Sequence, residues 1–315
     1  MARTVGIGYQ DFGQVIEKNI FYIDKTAFIK EWWENEDAVT LITRPRRFGK
    51  TLNMSMLEQF FSVSYAGRGE ELFGELAIWE EEKYRKLQGT LPVITLSFAD
   101  VKESSFTEAR KKICSTIRNL YDRYDFLPDS GCLNEKEREL YHKVSAEMEN
   151  YVATGSLRAL SKYLTDYYGK KVLILLDEYD TPMQEAYVYG YWEELVEFIR
   201  SLFNSTFKTN PYLDRAVMTG ITRISRESIF SDLNNLEVVT TTSEKYETSF
   251  GFTQEEVWSA LEEYELLTKK EEVKDWYDGF VFGRQEAVYN PWSILNYLDK
   301  KKFSAYWANT SSNSL

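Results

Sequence analysis

Histidine and cysteine are nearly missing from this chain, with His142 alone and only Cys114 and Cys132. That scarcity argues against a disulfide framework, and a zinc site would have to recruit carboxylates. Two reduced thiols are the simpler expectation. Basic charge is also short. Against 50 Asp and Glu stand 38 Lys and Arg, a net charge of -12 and a pI near 4.9. A field of that sign repels nucleic acid and anionic membrane at long range, so no direct contact with either is expected from this region. No window approaches the ~18–20 apolar residues of a membrane-spanning helix. Met1-Ala2-Arg3-Thr4 lacks the apolar core of an export signal, so the expected location is the cytoplasm. There is no internal repeat and no low-complexity linker.

Core-forming material is plentiful: 43% of the 315 residues are hydrophobic and 16% aromatic, enough for one large or two modest domains. Four apolar runs have the length and composition of strands. They are Ala38-Val39-Thr40-Leu41-Ile42-Thr43, Pro92-Val93-Ile94-Thr95-Leu96-Ser97-Phe98, Val172-Leu173-Ile174-Leu175-Leu176 and Ala216-Val217-Met218-Thr219. Being apolar on both faces, they suit strands covered by helices on both sides. Helical stretches alternate with them, which predicts an α/β protein with a mostly parallel sheet. From Tyr191 to Phe203, residues Trp192, Leu195, Val196, Ile199, Leu202 and Phe203 fall on one helix face and read as core. The charged helical insertion between Cys132 and Gly155 carries no chemistry that its residues name.

Past Phe250 the pattern changes. Thr253 with Glu256 forms a capping box, and Asn290-Pro291 pairs a cap with a first-turn proline. Residues 1–250 are therefore expected to form the core and residues 251–315 a small helical, lid-like subdomain. The chain stops at Ser312-Asn313-Ser314-Leu315 with no closing element, which reads as the interrupted end of something longer.

The first strand runs into Arg44-Pro45-Arg46-Arg47-Phe48-Gly49-Lys50-Thr51, and a helix follows through Leu52, Met56, Leu57 and Phe60. Strand, loop and helix in that order are the setting a phosphate loop requires. Gly49 lets the backbone approach a phosphate, and the amides at the helix start offer a positive end. Lys50 would reach the β- and γ-phosphates, and Thr51 would put its hydroxyl on Mg. Arg44 stands where the usual motif has its first glycine. Arg44, Arg46 and Arg47 either supplement the phosphate cradle or serve as structural ion partners.

The third run ends in Asp177-Glu178. Asp177 at the strand's end would hold Mg, while Glu178 would polarise the attacking water as a general base. Neighbouring side chains on an extended strand diverge, which allows that division of labour. A helix cap plus a surface acid is the plainer alternative. After the fourth run come Thr222, Arg223 and Arg226. Strand ends in a parallel sheet collect on one edge with the phosphate loop, so Arg223 or Arg226 is placed to sense a γ-phosphate, if neither is a surface ion partner.

With these segments in hand, the chain resembles the predicted AAA-ATPase-like family found mainly in bacteria. The resemblance also rests on Tyr22-Ile23-Asp24-Lys25-Thr26, Asp177-Glu178-Tyr179-Asp180-Thr181-Pro182, Thr219-Gly220-Ile221-Thr222-Arg223-Ile224-Ser225, Tyr277-Asp278-Gly279-Phe280 and Tyr289-Asn290-Pro291-Trp292-Ser293. It implies a three-layer P-loop NTPase fold of the additional-strand class, with ATP and Mg as ligands and arginine at position 44 as the family habit. Similarity to signal-transduction NTPases favours Arg223 over Arg226 as the γ-phosphate sensor. Many members carry a C-terminal nuclease-like PD-(D/E)XK domain. No such motif is visible here, because Asp177-Glu178-Tyr179-Asp180 lacks the trailing lysine. The expected activity is ATP hydrolysis driving a conformational switch, coupled to a protein partner or a fused C-terminal effector domain. A nucleotide-bound scaffold with little turnover and a phosphotransferase are the alternatives.

Overall fold

Where β-branched residues and leucines run together, the chain is extended and covered on both sides. In the computed structural model, which describes residues 2–222, 229–230 and 233–308, five such segments form one sheet. They are β1 (Val39–Thr43), β2 (Val93–Ser97), β3 (Val172–Asp177), β4 (Leu213–Gly220) and β5 (Leu236–Val239). The spatial order is β2-β3-β4-β1-β5, and every neighbouring pair is parallel. β4 thus stands between the loop-bearing β1 and the acid-bearing β3, as the additional strand.

The period-two alternation sorts β3 between two cores. Val172, Ile174 and Leu176 pack with the helices Phe106–Asp122, Asn150–Tyr168 and Trp192–Phe203. Leu173 and Leu175 pack on the opposite face with Met54, Leu57 and Phe61 of the helix Lys50–Phe61. Helices therefore cover both faces, as the apolar runs require. β5 escapes a reading by pattern because it is a four-residue edge strand with only Val239 buried. The opposite edge, β2, has its carbonyls covered. The Tyr124 hydroxyl donates to the Val93 carbonyl at 2.8 Å, and Arg123 donates to the Thr95 carbonyl. Such capping keeps an open edge from pairing with another chain.

A third core gathers Phe252, Val257, Leu261, Val273, Tyr277, Tyr289, Ile294, Tyr297 and Leu298 around Phe21 from the start of the chain. It is built by the helices Gln254–Glu263, Lys270–Tyr277 and Pro291–Lys300. Both predicted caps form. Thr253 and Glu256 exchange the two bonds of a capping box, and the Asn290 side chain accepts from the Ser293 amide at 3.2 Å. One element had no helical signal: a hairpin of β6 (Phe280–Phe282) and β7 (Gln285–Val288), turned at Gly283 with φ 55°. Its strands are too short for a period to show. Phe282 and Val288 belong to the core beneath the phosphate loop rather than to the third core.

The start of the chain is stapled onto this region. Arg3 makes a two-pronged pair with Glu263, and Lys25, only 7% exposed, places Nζ 2.6 and 2.7 Å from the Glu256 oxygens. Burial pulls the Lys25 pKa down and Glu256 opposes it. Both cysteines are free, and no helix among the described residues is long and apolar enough to cross a membrane.

Candidate nucleotide site

The loop leaving β1 is tied to β4 at once, because the Arg44 amide donates to the Gly220 carbonyl at 3.1 Å. It then turns twice through left-handed backbone, at Arg47 (φ 70°) and Gly49 (φ 82°), before the helix Lys50–Phe61 begins. The first amides of a helix have no partner within it, so this end is disposed toward an anion. Lys50 lies across the loop with Nζ 2.9 Å from both the Arg44 and Pro45 carbonyls. Burial lowers its pKa, against the pull of Asp177, Glu178 and Asp180.

β3 brings Asp177 to the same place. Thr51 Oγ1 donates to Asp177 Oδ2 at 2.6 Å, Thr219 Oγ1 donates to Oδ1, and the Glu178 amide donates to Oδ1 at 3.0 Å. Asp177 is 5% exposed and remains an acceptor held by three donors. Glu178 is half-buried and, at φ 50°, occupies the left-handed region that residues other than glycine uncommonly adopt. Its Oε2 accepts from Thr181 Oγ1 at 3.0 Å.

Asp180 is a site residue for which the sequence offered only its place in a motif. Fully buried, its Oδ2 accepts from the Ile221 and Thr222 amides (3.0 and 2.8 Å), the Thr222 hydroxyl (2.7 Å) and Gln184 (3.0 Å). One carboxylate thus locks the end of β3 to the turn after β4. Gly220 is needed for that approach, since a Cβ there would lie 2.5 Å from the Tyr179 ring and 2.6 Å from Asp180 Oδ1.

The loop arginines divide. Arg44 is completely buried, and its guanidinium donates to the Thr43 and Tyr246 carbonyls (3.0 and 3.3 Å) and lies 4.8 Å from the Phe282 ring centroid. Burial brings its pKa down to about 10, with Glu31 opposing. In this structure its guanidinium donors lie on backbone carbonyls of the core rather than on a carboxylate. Arg46 and Arg47 are exposed, whereas Phe48 is 1% exposed and anchors the loop in the core. Arg223 and Arg226 lie outside the described residues.

No group of three His, Cys, Asp or Glu side chains gathers as a metal cage among the described residues. The donors that do meet, one hydroxyl and one buried carboxylate, fit Mg, which takes few protein ligands and completes its shell with phosphate and water.

An all-parallel five-stranded α/β sheet with helices on both faces, a strand–loop–helix at the carboxyl end of β1 and an extra strand between loop and acids places the chain in the P-loop NTPase-like class. The chain belongs to the family described as "Predicted AAA-ATPase", whose model matches residues 6–230. It is 27% identical over 310 residues to an Azotobacter chroococcum mcd 1 protein described as "Uncharacterized protein in vnfD 5'region". That match covers 98% of this chain and 54% of the relative, so the chain spans about half the relative's length. The family suggests nucleotide binding.

Proposed function

We propose that the chain binds Mg-ATP and hydrolyses it, with the cycle driving a change in the position of residues 251–315. The observation that carries this reading is the meeting of Lys50, Thr51 and Asp177 at the mouth of one loop, with Thr51 and Asp177 2.6 Å apart. Phosphate oxygens would replace the Arg44 and Pro45 carbonyls as acceptors for Lys50, while the amides of residues 46–51 close around them. Thr51 and Asp177 would hold Mg, which when bound neutralises charge on the phosphates. Glu178 would take the proton of the attacking water. Arg223, next after Thr222, is the arginine proposed to sense the γ-phosphate.

A second reading has one observation in its favour. Glu178 is turned onto Thr181 at 3.0 Å, so a scaffold that keeps its nucleotide would need no further arrangement of the base. Hydrolysis requires Glu178 to leave Thr181 for water. Single-turnover phosphate release separates the two. Glu178→Gln should retain ATP and slow release by at least ~10²-fold, the usual worth of a general base. Equal rates in the two proteins would remove Glu178 from the mechanism, and no release by the wild type would favour the scaffold.

A further inference from the structure

The phosphate loop is held from two sides, and the second grip belongs to residues far along the chain. The Arg46 carbonyl accepts from Asn290 Nδ2 at 3.3 Å and from Trp307 Nε1 at 3.4 Å. Phe48 packs against the rings of Phe280 (4.8 Å) and Phe282 (5.2 Å), and its carbonyl accepts from the Gly251 amide at 3.3 Å. The Arg47 guanidinium lies 4.2 Å from the centroid of the Trp292 ring.

Two features make this more than packing. Asn290 uses both ends of its amide: Oδ1 caps the helix Pro291–Lys300 at the Ser293 amide, which fixes the direction in which Nδ2 reaches the loop. Arg47 is exposed and holds left-handed backbone, and among the described residues its guanidinium lies on the face of Trp292 without a hydrogen bond or ion pair. Its one fixed contact is an aromatic face. An exposed cation–π contact is weaker than a charge-assisted hydrogen bond to phosphate. A triphosphate in the loop would therefore outcompete Trp292 for this guanidinium.

We infer that Arg47 is a phosphate-binding residue parked on Trp292, and that Asn290 is the positioning residue through which the helix Pro291–Lys300 senses an occupied loop. This deepens the nucleotide reading and rests on it. The ligand is a nucleoside polyphosphate, whose terminal phosphates draw Arg47 off the ring. Removal of Arg47 uncovers Trp292, and the shift of the Arg46 carbonyl is felt directly at the cap of the helix.

The test uses the whole chain, Mg-ATP titration calorimetry and tryptophan emission. Wild type should show an emission change on ATP saturation that disappears in Trp292→Phe. Arg47→Met should bind ATP about tenfold more weakly, as for one lost charge-assisted contact. Trp292→Leu should bind more tightly, because Arg47 is no longer held back. Asn290→Asp keeps the cap oxygen but loses the donor to Arg46. It should lower the melting temperature, because a buried carboxylate then faces the Arg46 carbonyl. It should also weaken ATP binding by the protein that is folded, a loss of affinity that a merely structural Asn290 would not give. If wild type binds ATP while Arg47→Met and Trp292→Leu match its affinity, the inference falls and the nucleotide reading stands. If wild type binds no ATP, both fall.

Discussion

Arg44 and Arg47 leave one loop three positions apart and meet opposite surroundings. Arg44 is sealed under Phe250 and Phe282 with its donors on backbone carbonyls, whereas Arg47 stands in the open on the face of Trp292. The sheet side of the loop is set by the core; the helix side is held by a distant cap and an aromatic ring. Residue type therefore does not decide function in this loop. What decides it is which distant segment reaches each residue.

Replacing each arginine by glycine separates the two roles. Arg44→Gly should cost about 3 kcal/mol in urea unfolding, because it opens a cavity and leaves the buried Tyr246 carbonyl without its donor. It should not tighten ATP binding, although it restores the more usual motif. Arg47→Gly should leave stability unchanged or slightly raised, since glycine adopts φ 70° without strain. Equal losses in the two variants would refute the division.

The same seal has a backbone side at Gly220, which receives the Arg44 amide and passes close to Tyr179 and Asp180. Gly220→Ala should cost about 1–3 kcal/mol, the usual range for forcing a methyl into packed surroundings. A thermal melt equal to wild type would show that the end of β4 yields easily.

The smallest expected effect lies on the open side of the helix Lys50–Phe61. Beside Thr51 and Asp177 is a cleft lined by Ser55, Glu58, Thr95 and Arg123. Burial raises the Glu58 pKa, with Arg123 at 3.8 Å opposing it. A raised carboxyl favours the folded state below its unfolded pKa, and that advantage is lost as pH rises through the folded value. Glu58→Gln should therefore raise the melting temperature modestly at neutral pH, with the difference closing in acid. A destabilised variant at neutral pH would mean that the pair with Arg123 outweighs burial.

The meeting of Lys50, Thr51 and Asp177 was legible because each follows directly from its own strand. Gly49-Lys50-Thr51 after an apolar run, and Asp177-Glu178 at the end of another, place their chemistry through strand ends that a parallel sheet gathers on one edge. What could not be read depends on separation along the chain. Arg44 is fixed by Tyr246, 202 positions on, and Arg46 by Asn290, 244 positions on. Asp180 had no role legible in the sequence beyond its place in a motif, because its partners Ile221 and Thr222 lie more than forty positions on. The hairpin β6–β7 and the edge strand β5 were too short for any period to mark them.

If the mouth of this loop holds the phosphates of ATP, as we propose, Lys50 is the side chain whose loss must show it. Its ammonium now rests on two loop carbonyls that phosphate would replace. Mg-ATP titration calorimetry should give Lys50→Ala an affinity lower by about 1.5–3 kcal/mol, roughly ten- to a hundredfold, the worth of a hydrogen bond to a charged group. The urea midpoint should stay near that of wild type, because the lost lysine was buried at a cost. Equal ATP affinity in the two folded proteins would mean that Lys50 does not touch the nucleotide and that the loop is not its phosphate site.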